Sequence, residues 1–262
     1  RYGLGVNPAI FAAIADEALI DAGADLLFHA MPAAVHLEDN RWRVSLCTKT
    51  GLAEMTAGVV VDCTGDANVV AMAGFEVRRS RELQPATLVV TATGYDATML
   101  DYEAIQAAFD AEVAAGRMKT TDSGWNGGRI DFFLKSHGGN RIHVCDVDGD
   151  TSEARTHAEL EGRRAMMRLL RFCRRQPGLE NFTIASMAPE CGIRETVTIK
   201  GKTEITIDDY MSGRMYDDAV CHSFYAVDIH RPDHIDFRNI EAGVYPTIPL
   251  GSLIPEGSRR LI

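Results

Sequence analysis

Positive charge is scarce. Lys and Arg total 27 against 37 Asp and Glu, a formal net charge of -10. No broad basic surface is therefore available to track a phosphate backbone, and nucleic acid is excluded as the main partner. Paired cysteines are also missing. Cys47, Cys63, Cys145, Cys173, Cys191 and Cys221 lie far apart with no CxxC among them, which argues against a zinc ribbon or an iron–sulfur cluster, so no metal site is expected. Free thiols in this number fit a reducing cytoplasm. No stretch reaches the roughly 18 consecutive apolar residues of a spanning helix, and no signal-peptide pattern is visible, so the expectation is a soluble, cytoplasmic protein without a membrane span.

What is present is enough apolar residue for a full core: 46% hydrophobic in 262 residues, sized for one or two domains. Asn7-Pro8, followed by Ile10, Phe11, Ile14 and Leu19 and closed by Gly23, predicts a helix over 8–22 with Asn7 as N-cap and Pro8 at its first position. Strands are predicted over Asp25–Ala30, Ala33–Leu37 and Trp42–Thr48, with Glu38-Asp39-Asn40 as a turn, making a small antiparallel meander. Residues 54–62 climb into Val59-Val60-Val61, apolar on both faces like a buried strand. A short helix from Ala67 to Ala73 ends at Gly74. Further on, the pattern predicts strands over Ala86–Thr93, Arg129–Leu134, Arg141–Asp146, Phe182–Ala188 and Arg194–Ile199, and helices over Tyr102–Ala115 and Glu153–Arg175. Thr206 and Asp209 form the pattern of a capping box opening a short helix, and Asp217–His222 is read as another. The arginines of the long helix read as a solvated face.

The strongest local signal is VVVDCTGDA, residues 59–67. A buried strand there delivers a glycine and a carboxylate at its C-terminal end, where ligands bind in open α/β sheets. Gly65 permits close approach to the backbone. Without a ligand, the same residues make an ordinary strand-to-helix turn with Asp66 as N-cap.

The order of these motifs, VVVDCTGDANVVAMAG, then QPATLVV, CGIRETVTIKG, AVDIH and IPLGSLIPEG, resembles the FAD-dependent oxidoreductases of glutathione-reductase type, distantly allied to fumarate reductase flavoproteins, over nearly the whole chain. The resemblance implies a mixed α/β fold: an incomplete FAD/NAD(P)-binding three-layer domain (1–77 with 245–262) and an inserted mixed-sheet substrate domain (78–244). It implies FAD as cofactor, with Thr64, Gly65 and Asp66 near its adenosine-diphosphate portion and Met31 and Pro32 at the adenine. Gly192 and Ile193, in Glu190–Glu195, would lie beside the flavin ring. The reaction implied is hydride transfer between flavin and a small organic substrate. Arg194 suits stabilisation of negative charge, because it stays protonated and can fork onto a carboxylate or enolate. His230, or alternatively His222, suits proton transfer near neutral pH. The residues alone leave other readings open: Arg194 salt-bridged to Glu190 or Glu195, His230 a structural histidine, Cys191 either flavin-facing or an inert buried thiol.

The chain departs from the family in specific ways. No GxGxxG follows a strand; Gly3-Leu4-Gly5 has no buried strand before it, so the pyrophosphate cradle is absent from this stretch. Thr196-Val197-Thr198 stand where family members commonly carry arginines, and Gly251 stands where an arginine usually precedes SLIP. Arg1 and the strand-like Arg260-Leu261-Ile262 lead us to expect that both ends cut through a larger fold. The stretch is expected to bind FAD poorly alone and to leave Val59, Val60 and Val61 uncovered. The alternative function is a cofactor-free ligand- or partner-binding module derived from a flavoprotein. A homo-oligomer is left open.

Overall fold

A computed structural model describes residues 5–80, 82–124, 127–231 and 234–262; Gly3 and Leu4 lie outside them. The chain divides into two compact units, residues 1–61 with 72–74, and residues 62–71 with 75–262.

In the first unit, helix α1 (Pro8–Asp21) starts where the sequence says it should. The Asn7 side chain accepts from the N–H groups of Ala9 and Ile10 at 3.0 and 3.2 Å, and Pro8 occupies the first turn, where its missing N–H costs nothing. None of its side chains is buried. Strands β1 (Met31–Glu38), β2 (Arg41–Thr48) and β3 (Gly51–Ala57) follow as an antiparallel meander in that order. Asp39 and Asn40 both take positive φ, 47° and 63°, the mirror-image turn whose twist suits a two-residue hairpin. Val35 and Trp42 are the buried apolar side chains of the meander. Two expectations need correction. Asp25–Ala30 is not a strand: it lies outside any ladder among the described residues, and His29 sits in the left-handed region at φ 56°. Val59–Val61 forms a single bridge rather than a strand, with Val59 and Val61 exposed. Three consecutive valines favour an extended chain, but a strand also needs ladder partners.

The second unit is built on β5. It opens with α2 (Asn68–Met72) and β4 (Val77–Arg79), and β5 (Ala86–Thr93) then becomes the centre of a three-stranded antiparallel sheet. Helices α3 (Tyr102–Ala114) and α4 (Ile130–Lys135) precede its flanking strand β6 (Gly138–Val144); α5 (Ser152–Cys173) precedes the other, β7 (Thr183–Met187). Ala158, Ala165, Leu169, Phe172 and Cys173 of α5 are buried at helical spacing and join the main core with Leu88, Val90, Phe109, Phe133 and Ile142. A Cβ on Gly162 would lie 3.3 Å from that of Leu88, so glycine sets how closely α5 approaches the sheet. Away from that face Arg163 pairs with Glu159, while at its edge the partly buried Arg168 forks onto the buried Asp122 and reaches Glu161.

Past β7 the unit continues through small pieces: β8 (Val197–Ile199) against β4, α6 (Ile207–Ser212), and β9 (Ala219–His222), which pairs with the later β12 (Thr247–Pro249). Between them, β10 (Val227–His230) pairs with β11 (Ile235–Arg238). The capping box at Thr206 and Asp209 forms with both of its bonds, at 3.1 Å each. Arg129–Leu134 is helix, not strand: Ile130, Phe133 and Leu134 are buried at i, i+3 and i+4. Over six residues that spacing is hard to tell from a strand's. Asp217–His222 gives strand β9 rather than a helix, because its partner strand lies almost thirty positions downstream, beyond any local signal. The architecture is mixed α/β, with five sheets of two or three strands among the described residues. No helix there is long and apolar enough to cross a membrane.

Candidate functional site

The turn after the valine run is organised by Asp62. Its carboxylate accepts from the N–H and hydroxyl of Thr64 (3.0 and 2.7 Å) and from the N–H groups of Val69 and Val70 (2.9 and 3.0 Å). Thr64 in turn accepts from Asn68 N–H at 3.0 Å. Asp62 therefore caps α2, and the expectation of Asp66 as N-cap is corrected. Asp66 faces elsewhere: one oxygen takes a guanidinium N–H of Arg155 on α5, the other the Thr196 hydroxyl at 2.9 Å. Arg155 also donates to the Gly149 carbonyl at 2.8 Å. Thr196, noted above as standing where an arginine is common, thus ties the 191–196 segment to the turn.

This network leaves the turn's backbone available. Gly65 has φ 82°, and a Cβ there would meet nothing within 4 Å. Among the described residues, the N–H groups of Gly65, Asp66 and Ala67 have no hydrogen-bond partner. Three adjacent free donors beside an open glycine form a nest suited to an oxygen-rich or anionic group.

A second cluster surrounds the first residues of β5. Thr87 exchanges two backbone hydrogen bonds with Gly192, at 2.8 and 2.9 Å, and stands opposite His143 of β6. Ile193 packs on Gly149, where an added Cβ would come within 2.7 Å of it. With Arg155, Glu159, Arg163, Glu190 and Cys191, Ile193 lines a surface cavity of about 340 Å³. Arg194 is exposed and, among the described residues, forms no ion pair with Glu190 or Glu195. It nevertheless lies near enough to lower the pKa of both His143 and His230. His230 is buried on β10, its N–H donating to Gln84 at 3.0 Å and its Nε2 lying 3.3 Å from Asp228. Burial and then Arg194 lower its pKa, opposed by Asp228. Its ring meets that of His143 edge-on, with centroids 5.8 Å apart.

The chain thus brings Thr64, Gly65 and Asp66 to the Thr196 segment, and sets Gly192, Arg194 and His230 around Thr87 and His143. Met31 and Pro32 belong to the other unit, at a bulge between Pro32 and Ala34. Burial, and then the Glu159 carboxylate, push the Cys191 thiol up to about 11, which favours the inert reading. His222 is exposed on β9. His143 carries little weight in the sequence, where it stands only as a residue near a Gly-Gly turn. Its one legible signal is the polar residue inside the apolar alternation of Ile142, His143 and Val144.

A profile of the family described as FAD dependent oxidoreductase matches residues 3–262. No curated protein matches the chain. Among solved structures, CabE, an aromatic hydroxylase from angucycline biosynthesis, is similar at 23% identity, with a TM-score of 0.33. That likeness covers 37% of this chain and 20% of the CabE chain.

Proposed function

Because this chain belongs to the FAD dependent oxidoreductase family, whose cofactor is FAD, we propose that it supplies the substrate side and one flavin-binding turn of an enzyme exchanging a hydride with a small organic molecule. Bound FAD would contribute the two-electron chemistry, and the protein the positioning and proton handling. The N–H groups of Gly65, Asp66 and Ala67 would hold an oxygen-bearing part of the cofactor. Asp66 itself is occupied by Arg155 and Thr196, so its carboxylate fixes the turn while its backbone faces the ligand. Met31 and Pro32 are proposed at the adenine, and Gly192 and Ile193 beside the flavin ring, in a flavin domain of 1–77 with 245–262 and a substrate domain of 78–244. Arg194 would offset negative charge on the substrate. His230, oriented by Asp228, would move the proton.

The family match over residues 3–262 carries this reading. It is tested by titrating FAD with the purified chain and following flavin fluorescence anisotropy. We expect weak, saturable binding that Gly65→Val weakens further, because a β-branched residue is strained at φ 82°. No binding, or binding indifferent to that substitution, overturns the assignment of the turn and favours a cofactor-free module.

A further inference from the structure

We infer that His143, Thr87 and Arg194 form the seat of a small organic acid that also carries a hydroxyl or carbonyl group. The inference rests on the flavoenzyme reading for the use made of that ligand, as substrate.

Thr87 and His143 face each other across β5 and β6 and are each 3% exposed. Neither the Thr87 hydroxyl nor either ring nitrogen of His143 has a hydrogen-bond partner among the described residues. A buried polar atom left unsatisfied forfeits its hydration with nothing in return, and three sit together here. Packing alone would be served as well by valine and phenylalanine, so the arrangement is one that a polar ligand completes. Burial drives the His143 pKa down to about 4, with the charges of His230, Arg194 and Arg141 acting in the same direction. At neutral pH the ring is therefore uncharged, offering one donor and one acceptor nitrogen.

The charges around the cluster select the ligand. Asp228 already has His230 beside it, whereas Arg194 has no carboxylate partner among the described residues. A cation would be repelled by Arg194, and an apolar ligand would leave the Thr87 and His143 atoms unsatisfied. A molecule with one negative charge for Arg194 and one neutral oxygen for His143 and Thr87 answers both.

The test is an NMR titration of the histidine imidazoles of the full chain, without flavin, using L-lactate, 3-hydroxybutyrate and propionate. At least one hydroxy acid should shift the His143 resonances saturably. Propionate, which lacks the hydroxyl, should bind about tenfold more weakly, the loss of one hydrogen bond. Arg194→Gln should weaken the hydroxy acid tenfold or more, and the unshifted line of His137, whose ring stacks on Tyr95, reports that the fold is kept in that variant. Resonances unmoved by both hydroxy acids, or moved equally by propionate, or still moved at the same concentration in Arg194→Gln, overturn the proposal. With no flavin in the sample, such a failure leaves the anisotropy test standing, and failure of flavin binding leaves this titration readable.

Discussion

His143 ties acid sensitivity to one side chain. Unfolding returns its pKa from about 4 to the ordinary 6.5, so across that window the unfolded chain takes up a proton that the folded chain refuses. The ring's contribution to stability is complete above about 6.5 and is lost as the pH falls towards 4, at most about 3 kcal/mol. In urea denaturation, His143→Phe should flatten the fall in unfolding free energy between pH 7 and 4; an unchanged slope would mean that other groups carry it. Asp66 provides a second residue-scale contrast. As the anchor for Arg155 and Thr196, it should lose about 1–2 kcal/mol of stability in Asp66→Asn, since a charge-assisted bond becomes a neutral one. A carboxylate reserved for a ligand would instead leave urea stability unchanged. Arg194 and His230 draw attention in the sequence by residue type alone, a permanent cation and a base near neutrality. His143 does not, because its unsatisfied ring and the facing Thr87 hydroxyl come into view only with the β5–β6 register.

Elements that carry their own stop and start signals follow the sequence closely. Asn7 and Pro8 begin α1, Thr206 and Asp209 box α6, and Asp39-Asn40 turn the hairpin, each through contacts within a few residues. Elements whose identity depends on distant partners do not: β9 exists because of β12, and α4 because three apolar side chains reach one core. The helix after the glycine turn is an intermediate case. Its N-cap is supplied by Asp62, six positions before the first helical residue, rather than by the adjacent acid. Asp62→Ala removes the acceptor of four hydrogen bonds and should cost about 2–3 kcal/mol, with amide exchange in Asn68–Met72 accelerating more than in α5. Equal acceleration in both helices would show that α2 is held by packing instead.

At the scale of the whole molecule, burial is distributed unevenly. The second unit packs phenylalanines and leucines around β5, whereas α1 leaves Ile10, Phe11, Ile14 and Ile20 exposed. Apolar faces of that extent drive association. The chain should therefore elute as self-associated species in size-exclusion chromatography, and Phe11→Glu with Ile14→Glu should shift it towards monomer without changing the urea midpoint of the second unit. A monomer at all concentrations would overturn this. The buried Trp42 of the meander has an optical consequence. The sequence holds two tryptophans, the other being Trp125, so a Trp125→Phe chain would emit from the first unit alone, while the tyrosines Tyr95 and Tyr102 stay with the second. Emission from that one indole, followed through a denaturation, would time the opening of the meander separately from the loss of the larger core.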